Sequence, residues 1–293
     1  MFKIVQKQIL AQNIKRIDIS APAIAAKVLP GQFVMVTPTS AVHAIPMAVV
    51  EADERRGNIS LIVHEVGAAT GALGALSIGE GVYQMLGPLG RPSVIDKYGL
   101  VICVATGIGA AQILPICRAL KKKGNKIIGI VGAKSKKVLL LESQMRVVCD
   151  EIFITTNDGS YERRGLATQV LQELLNKYKV DAVYAIGSVE MMQAASEMAG
   201  HQGIPIRVTL SPYMANGLGM CGSCRVRIAG QTRLACVEGP EFDGYEVDFE
   251  DLNKRDQALK EKTWDSPSPP VRPKSAGLGT FMKSFWGSPK SKT

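Results

Sequence analysis

The chain has 293 residues, with 35 Lys and Arg against 26 Asp and Glu, a net charge of +9, and 46% hydrophobic but only 5% aromatic residues. That length suggests two domains with an appendage, and the apolar fraction excludes wholesale disorder. The opening MFKIVQKQIL has neither the long apolar run nor the small-residue cleavage site of a secretory signal.

Residues 1–96 have the pattern of an all-β unit. Short apolar and β-branched runs recur at Ile4–Leu10, Ile14–Ser20, Phe33–Pro38, Ala48–Glu51, Asn58–Glu65 and Gly81–Leu86. Pro-Gly, Asp-Glu-Arg-Arg-Gly and Gly-Glu-Gly turns separate them, which predicts a small barrel. From 97 to 212 the pattern changes. Strands are predicted at Leu100–Ala105, Lys126–Val131, Glu151–Thr155, Ala182–Ile186 and Ile206–Leu210. Between them fall helices ending at Lys123 and spanning Glu142–Cys149, Ala167–Tyr178 and Glu190–Gly200. Apolar strands alternating with amphipathic helices imply an α/β doubly wound parallel sheet covered on both faces. The uncharged stretch Tyr98–Cys117 is long enough to cross a bilayer, but its glycines and Pro115 make it a strand, a turn and a helix instead. Residues 213–250 form a small Gly- and Cys-rich module, 251–262 a charged helix, and 263–293 a basic, Pro/Ser-rich disordered tail. The tail carries +4 of the net charge, so the folded part offers little basis for nucleic-acid binding.

Thr106-Gly107-Ile108-Gly109-Ala110-Ala111 directly follows a predicted strand and opens a helix. Glycines there let backbone N–H groups approach a phosphate at the positive end of the helix. Gln112 occupies the third glycine slot, so the dinucleotide fingerprint is incomplete, and a plain β–α turn is the competing interpretation. Ligands of doubly wound sheets bind beyond the carboxyl ends of the strands. Gly132-Ala133-Lys134, Thr155–Ser160 and Gly187-Ser188-Val189 end at that edge. Lys134, Lys136 and Lys137 stand where an acid would bind the ribose of NAD, which leans toward NADP, with a solvated basic loop as the alternative.

The six cysteines fall into two sets. Cys103, Cys117 and Cys149 lie in apolar surroundings as small core side chains. Cys221, Cys224 and Cys236 cluster around a glycine-rich loop, and their spacing fills three of the four positions of a plant-type [2Fe–2S] site. Asn216 occupies the remaining position. Zinc is the rival, although His43, His64 and His201 complete no zinc-finger spacing. This is no secreted disulfide framework, and a reducing cytoplasm suits it. Nicotinamide delivers two electrons as hydride and a [2Fe–2S] cluster takes one at a time, so a flavin is implied between them.

Several segments together resemble the ferredoxin–NADP reductase superfamily: Pro30–Val34, His64–Thr70, Gly87–Gly90, Thr106–Ala111, Asp158–Tyr161, and Gly219–Val226. Within it the chain is similar to the electron-transfer subunit of type B dihydroorotate dehydrogenase. It is more similar still to the small subunit of NADH-dependent reduced ferredoxin:NADP oxidoreductase and its sulfide dehydrogenase relatives, through Ala235–Gly244. The resemblance covers about residues 1–260. It implies an FAD-binding barrel, an NAD(P) domain that takes NAD(P)H as substrate, a [2Fe–2S] module, and a larger flavin/iron–sulfur partner subunit, with ferredoxin as a further possible partner. It implies that Ile45, Pro46, Met47 and Ala48 sit beside the isoalloxazine, and that Leu61, Val63 and Glu65 run along the ribityl side. Gly67, Ala68, Ala69 and Thr70 are implied at the FAD pyrophosphate. Thr106, Gly107, Gly109, Ala110 and Lys134 are implied at NAD(P), and Asp158, Gly187 and Met191 near its nicotinamide end. Asn216, Cys221, Cys224 and Cys236 are the implied metal positions. No general acid or base is required. The sequence departs from the family at Ala44, Ala48, Asn216 and Ser188, where the relatives have Arg, Ser or Thr, Asp or Cys, and Pro. A charge-assisted hydrogen bond is worth about 1.5–3 kcal/mol, so losing the arginine lowers the expected FAD affinity. Two alternatives follow from the departures: a structural subunit that has lost cofactors, and a stand-alone flavin reductase with a zinc-binding loop.

Overall fold

The computed structural model describes residues 2–264, so the expected tail lies outside the described residues from 265 onward. The first unit contains β1 (Phe2–Ala11), β2 (Ile14–Ser20), α1 (Pro22–Ala25), β3 (Phe33–Thr37), β4 (Ile45–Ala48), β5 (Glu51–Asp53), β6 (Asn58–His64), α2 (Ala68–Ala75), β7 (Gly81–Val82) and β8 (Gln84–Leu89). Its antiparallel strands make a five-stranded sheet, β5-β6-β2-β1-β7, and a three-stranded sheet, β4-β3-β8. Their inward side chains share one core, in which Ile17, Ile19, Val34, Val36, Ile59, Leu61 and Val63 are fully buried. The strand expected at Ala48–Glu51 is two pieces. Val34 pairs with Met47 and Met35 with Pro46, so β4 begins earlier, at Ile45. The proline is tolerated because β4 is an edge strand.

The second unit runs β9 (Leu100–Thr106), α3 (Gly109–Lys122), β10 (Lys126–Ala133), α4 (Glu142–Val148), β11 (Glu151–Thr156), β12 (Arg163–Arg164), α5 (Ala167–Lys177), β13 (Ala182–Ile186), α6 (Val189–Gly200) and β14 (Ile206–Thr209). Tyr98–Cys117 is thus a strand, a glycine turn and a helix. Helix α3 ends on Lys121 and Lys122, and Gly124 takes φ +94°, as a helix stop requires. No helix among the described residues is long and apolar enough to cross a membrane.

The cysteine-rich piece adds the hairpin β15 (Arg225–Ile228) and β16 (Gln231–Leu234), then β17 (Glu241–Asp243) and α7 (Phe249–Trp264). Strand β17 pairs antiparallel with β14, giving a seven-stranded sheet of order β12-β11-β10-β9-β13-β14-β17. The other neighbouring pairs in that sheet are parallel. One face of the sheet packs on α5 and α6 in a core that also contains Phe33 and Met35 of the barrel and Cys224 and Cys236 of the module. The other face packs on α3 and α4.

Candidate cofactor cavity and cysteine loop

The carboxyl edge of the sheet is shaped by close backbone approach. A Cβ on Gly109 would lie 2.4 Å from the Ile186 carbonyl oxygen, and one on Gly187 would lie 2.0 Å from Thr106 Oγ1. Only glycine lets the β9–α3 turn nest against the end of β13. Gly107 behaves differently: it has φ +55°, its N–H donates to the Gly132 carbonyl at 3.0 Å, and a Cβ there would meet nothing within 4 Å. It forms an open shelf at the start of α3. Ser188, where the resemblance leads one to expect a proline, is the N-cap of α6. Its Oγ accepts from Met191 N–H at 3.3 Å, and its own N–H donates to Thr106 Oγ1 at 3.3 Å.

This edge faces the barrel across a cavity of about 880 Å³. The volume lies in the upper part of the range of small-molecule sites, about 300–1,000 Å³. Pro46, Met47, Ala48, Thr106, Gly107, Gly109, Lys134, Gly187 and Met191 line it, all among the residues expected to bind cofactor. The barrel wall is apolar through Phe33, Val50 and Ile62, and the shelf supplies backbone N–H groups. An apolar slot beside a glycine shelf fits a flavin ring meeting a dinucleotide.

Other expected residues lie elsewhere. The pleat of β6 turns Leu61 and Val63 into the barrel core, fully buried, and puts Ile62 and His64 on the cavity wall. Ile45 packs against the barrel core and Ala110 is buried on the inward side of α3. Glu65 is ion-paired with Lys15 at 2.6 Å. Gly67–Thr70 open α2 beside β6, off the cavity wall. There the Thr70 hydroxyl accepts from Val66 N–H at 3.1 Å and Gly67 N–H at 3.0 Å. Lys7 and Lys15 hold the opposite end of α2, donating to the Leu76 carbonyl at 2.8 Å and the Gly74 carbonyl at 3.1 Å.

Asp158 does not join Gly187 and Met191. It follows β11, whereas they follow β13, and β9 and β10 separate the two strands. Its backbone N–H donates to the Lys134 carbonyl at 3.3 Å, so it flanks the lysine end of the crevice. Its carboxylate accepts from Ser160 N–H at 3.0 Å, and that bonding to Ser160 holds it below the usual carboxylate range. Glu190, Ser211 and Met214 also line the cavity, although no motif marked them, and so does Gln112 from the third glycine position of the fingerprint.

The cysteine loop is built on glycines at 217, 219 and 222, with φ of +71°, +78° and +65°. A Cβ on Gly217 would lie 2.5 Å from Met35 Cγ, so the loop seats on barrel strand β3. Cys221 is exposed, while Cys224 and Cys236 are buried. Cys221 Sγ lies 3.1 Å from Ser223 Oγ, and hydrogen bonding from Ser223 lowers the thiol to about 7. Burial raises Cys236 to about 11, with Cys224 as its neighbour. Asn216 Oδ1 accepts from Leu218 N–H at 3.0 Å, so its amide oxygen closes a local turn. Among the described residues no group of three or more His, Cys, Asp or Glu side chains is arranged around a single metal ion. A two-iron cluster divides four ligands between two metals, and the three thiols on this glycine loop supply three of them.

Residues 211–248 match the family model of the iron–sulfur cluster binding domain of dihydroorotate dehydrogenase B. The chain is 37% identical to a dihydroorotate dehydrogenase B (NAD(+)) electron transfer subunit homolog of Thermotoga maritima, covering 86% of this chain and 89% of that one. It is 30% identical to the electron transfer subunit of Desulforamulus reducens, over 85% of this chain and 97% of the other. Among solved structures it is similar to a chain of the NADH-dependent reduced ferredoxin–NADP oxidoreductase studied for flavin-based electron bifurcation. That match has 34% identity and a TM-score of 0.85, covering 90% of this chain and 95% of that one. Phthalate dioxygenase reductase, at 17% identity and a TM-score of 0.55, shares the fold.

Proposed function

The chain belongs to the family of dihydroorotate dehydrogenase B electron-transfer subunits, and on that premise we propose that it passes electrons between NAD(P)H, FAD and a [2Fe–2S] cluster, to or from a larger partner subunit. The observation that carries this reading is the continuity of one core from cavity wall to thiols. Phe33 and Met214 line the cavity, and both pack in the same cluster as Met35, Cys224 and Cys236. A flavin bound there supplies the change from hydride transfer to single-electron transfer.

The chain's own residues have separable tasks in this proposal. Gly107 and Gly109 hold the nucleotide phosphates at the start of α3, and Lys134 adds a cation on the β10 side. Pro46, Met47 and Ala48 provide the apolar wall against which a flavin ring stacks. The N–H groups at the start of α2 serve the FAD phosphates, with Lys7 and Lys15 fixing the far end of that helix. Cys221, Cys224 and Cys236 hold the cluster, and Asn216 takes the fourth position if its amide turns away from Leu218. The division 1–96, 97–212 and 213–250 assigns one cofactor to each unit, although β17 physically joins the second and third. All six thiols are free, which supports a reducing cytoplasm as its location.

The test is anaerobic purification with flavin, iron, sulfide and zinc assayed on one sample, followed by reduction with NADH or NADPH. About one flavin with two irons and two sulfides, bleached by either nucleotide, is the expected result. Flavin with zinc and no sulfide makes it a stand-alone reductase. A protein that stays colourless after reconstitution and co-expression with its partner makes it a scaffold.

A further inference from the structure

We propose that Glu190 recognises the nicotinamide carboxamide and makes the nucleotide site specific for the amide over the corresponding acid. The inference rests on the NAD(P)H reading above. Among the described residues that line the cavity, three have ionisable side chains: His64 on the barrel, Lys134 after β10, and Glu190 in the first turn of α6. Glu190 is the anion of the three. It is exposed to the cavity, and among the described residues no ion pair or hydrogen bond engages its carboxylate.

An acid in the first turn of a helix is favourable on dipole grounds alone. That accounts for an acid near this end of α6, where Ser188 already supplies the cap, but it does not account for an acid on the wall of a dinucleotide site. Phosphate-bearing ligands are polyanions, and an unpaired carboxylate repels them unless the part that faces it is a donor or a cation. The nicotinamide end is both. Its carboxamide NH2 donates two hydrogen bonds, and the oxidised ring carries a positive charge.

The topology places that end beside Glu190. Phosphates over Gly107 leave two directions along the sheet edge: toward Lys134 on β10, or toward β13 and β14. The cysteine module follows β14 and pairs β17 with it, so the redox-active ring belongs on the β13–β14 side. Ser211 stands in the same corner, and its hydroxyl accepts from Gln112 Nε2 at 3.4 Å. That leaves the hydroxyl proton available to the carboxamide oxygen while Glu190 accepts from the amide nitrogen. A nicotinic acid ring would instead bring a carboxylate against Glu190.

The experiment uses full-length, flavin-loaded protein and titration calorimetry. Whichever of NAD+ and NADP+ binds is paired with its nicotinic acid counterpart, for wild type and Glu190→Gln. The expected result is that wild type prefers the amide, and that Glu190→Gln reduces this preference by about tenfold to a hundredfold, the range of one charge-assisted hydrogen bond. The gain appears as tighter binding of the acid form, which a merely structural defect cannot produce, and the melting temperature falls only slightly, by the helix-dipole contribution lost with the charge. An unchanged amide-to-acid ratio, or equal weakening of both ligands, overturns the role of Glu190 while leaving the nucleotide site standing. Failure of wild type to bind either nucleotide overturns the site and this assignment together.

Discussion

Gly107 and Gly109 belong to one short motif, yet the structure gives them opposite reasons for being glycine, and alanine at each should separate those reasons. At Gly109 the new methyl meets backbone: 2.4 Å from the Ile186 oxygen and 2.9 Å from its carbonyl carbon. Neither β13 nor the α3 turn can yield without shifting strands that are fully buried. Gly109→Ala should therefore fall at the top of the overpacking range, about 3 kcal/mol. At Gly107 the methyl meets nothing within 4 Å, and the cost is that of a left-handed residue at φ +55°, about 1 kcal/mol. The open space is where the nucleotide phosphates lie in our proposal. Gly107→Ala should thus lose one or two charge-assisted hydrogen bonds to phosphate, weakening NAD(P)H binding about tenfold to a hundredfold or more. Urea unfolding of the flavin-loaded protein gives the stability order, and nucleotide titration gives the affinity. Binding by Gly107→Ala at wild-type affinity, or equal destabilisation by the two variants, would refute the reasoning.

Serine at Cys221, Cys224 or Cys236 should each lower iron and sulfide content while leaving flavin content intact, as measured by colorimetric assay and absorption. Asn216→Asp should slow loss of iron to a chelator, because an anionic oxygen is a stronger ligand than an amide oxygen; unchanged or faster loss counts against Asn216 as the fourth position. Ala48→Ser places a hydroxyl on the cavity wall and should tighten flavin binding by about twofold to tenfold in fluorescence titration, the worth of one neutral hydrogen bond. Cys103, Cys117 and Cys149 should resist iodoacetamide until the protein unfolds. Hydrogen bonding to Cys103 raises Cys117, bonding to Cys117 raises Cys149, and burial adds to both, so their reactive thiolate forms are suppressed at neutral pH. Mass spectrometry of the native and denatured protein checks this.

Much of the architecture was legible because periodicity is a local signal. The α/β alternation from Leu100 onward and the strand–turn–helix at Thr106 follow from residues that are neighbours in the chain. Leu61 and Val63 were misplaced for a related reason: a strand with five buried residues in a row hides which face is the core, and only the barrel's closure decides that Ile62 and His64 face the cavity. Asp158 was misplaced because motif order in sequence is not strand order in space. It follows β11, and the crossover past β9 and β10 puts it on the far flank from Gly187. Strand β17 was invisible because three residues carry no periodicity, and its partner β14 lies more than thirty residues earlier. Glu190 escaped notice because an acid at a helix start is ordinary; only the fold shows that it lines the cavity.

The three residues 239–241 show why cavity and cluster loop are parts of one device. The Gly239 carbonyl accepts from Arg91 N–H at 2.6 Å, the Pro240 carbonyl from Leu210 N–H at 2.9 Å, and Glu241 Oε1 from Val94 N–H at 2.9 Å. The segment just after Cys236 is thus bonded to the barrel linker on one side and to the end of β14 on the other. Burial pushes the Glu241 carboxyl upward at the point where all three units meet. Pro240 lines the cavity only four residues from Cys236. In the proposed function this segment ties the cysteine loop to the cavity wall by chain connection and hydrogen bonds, so displacing one pulls on the other.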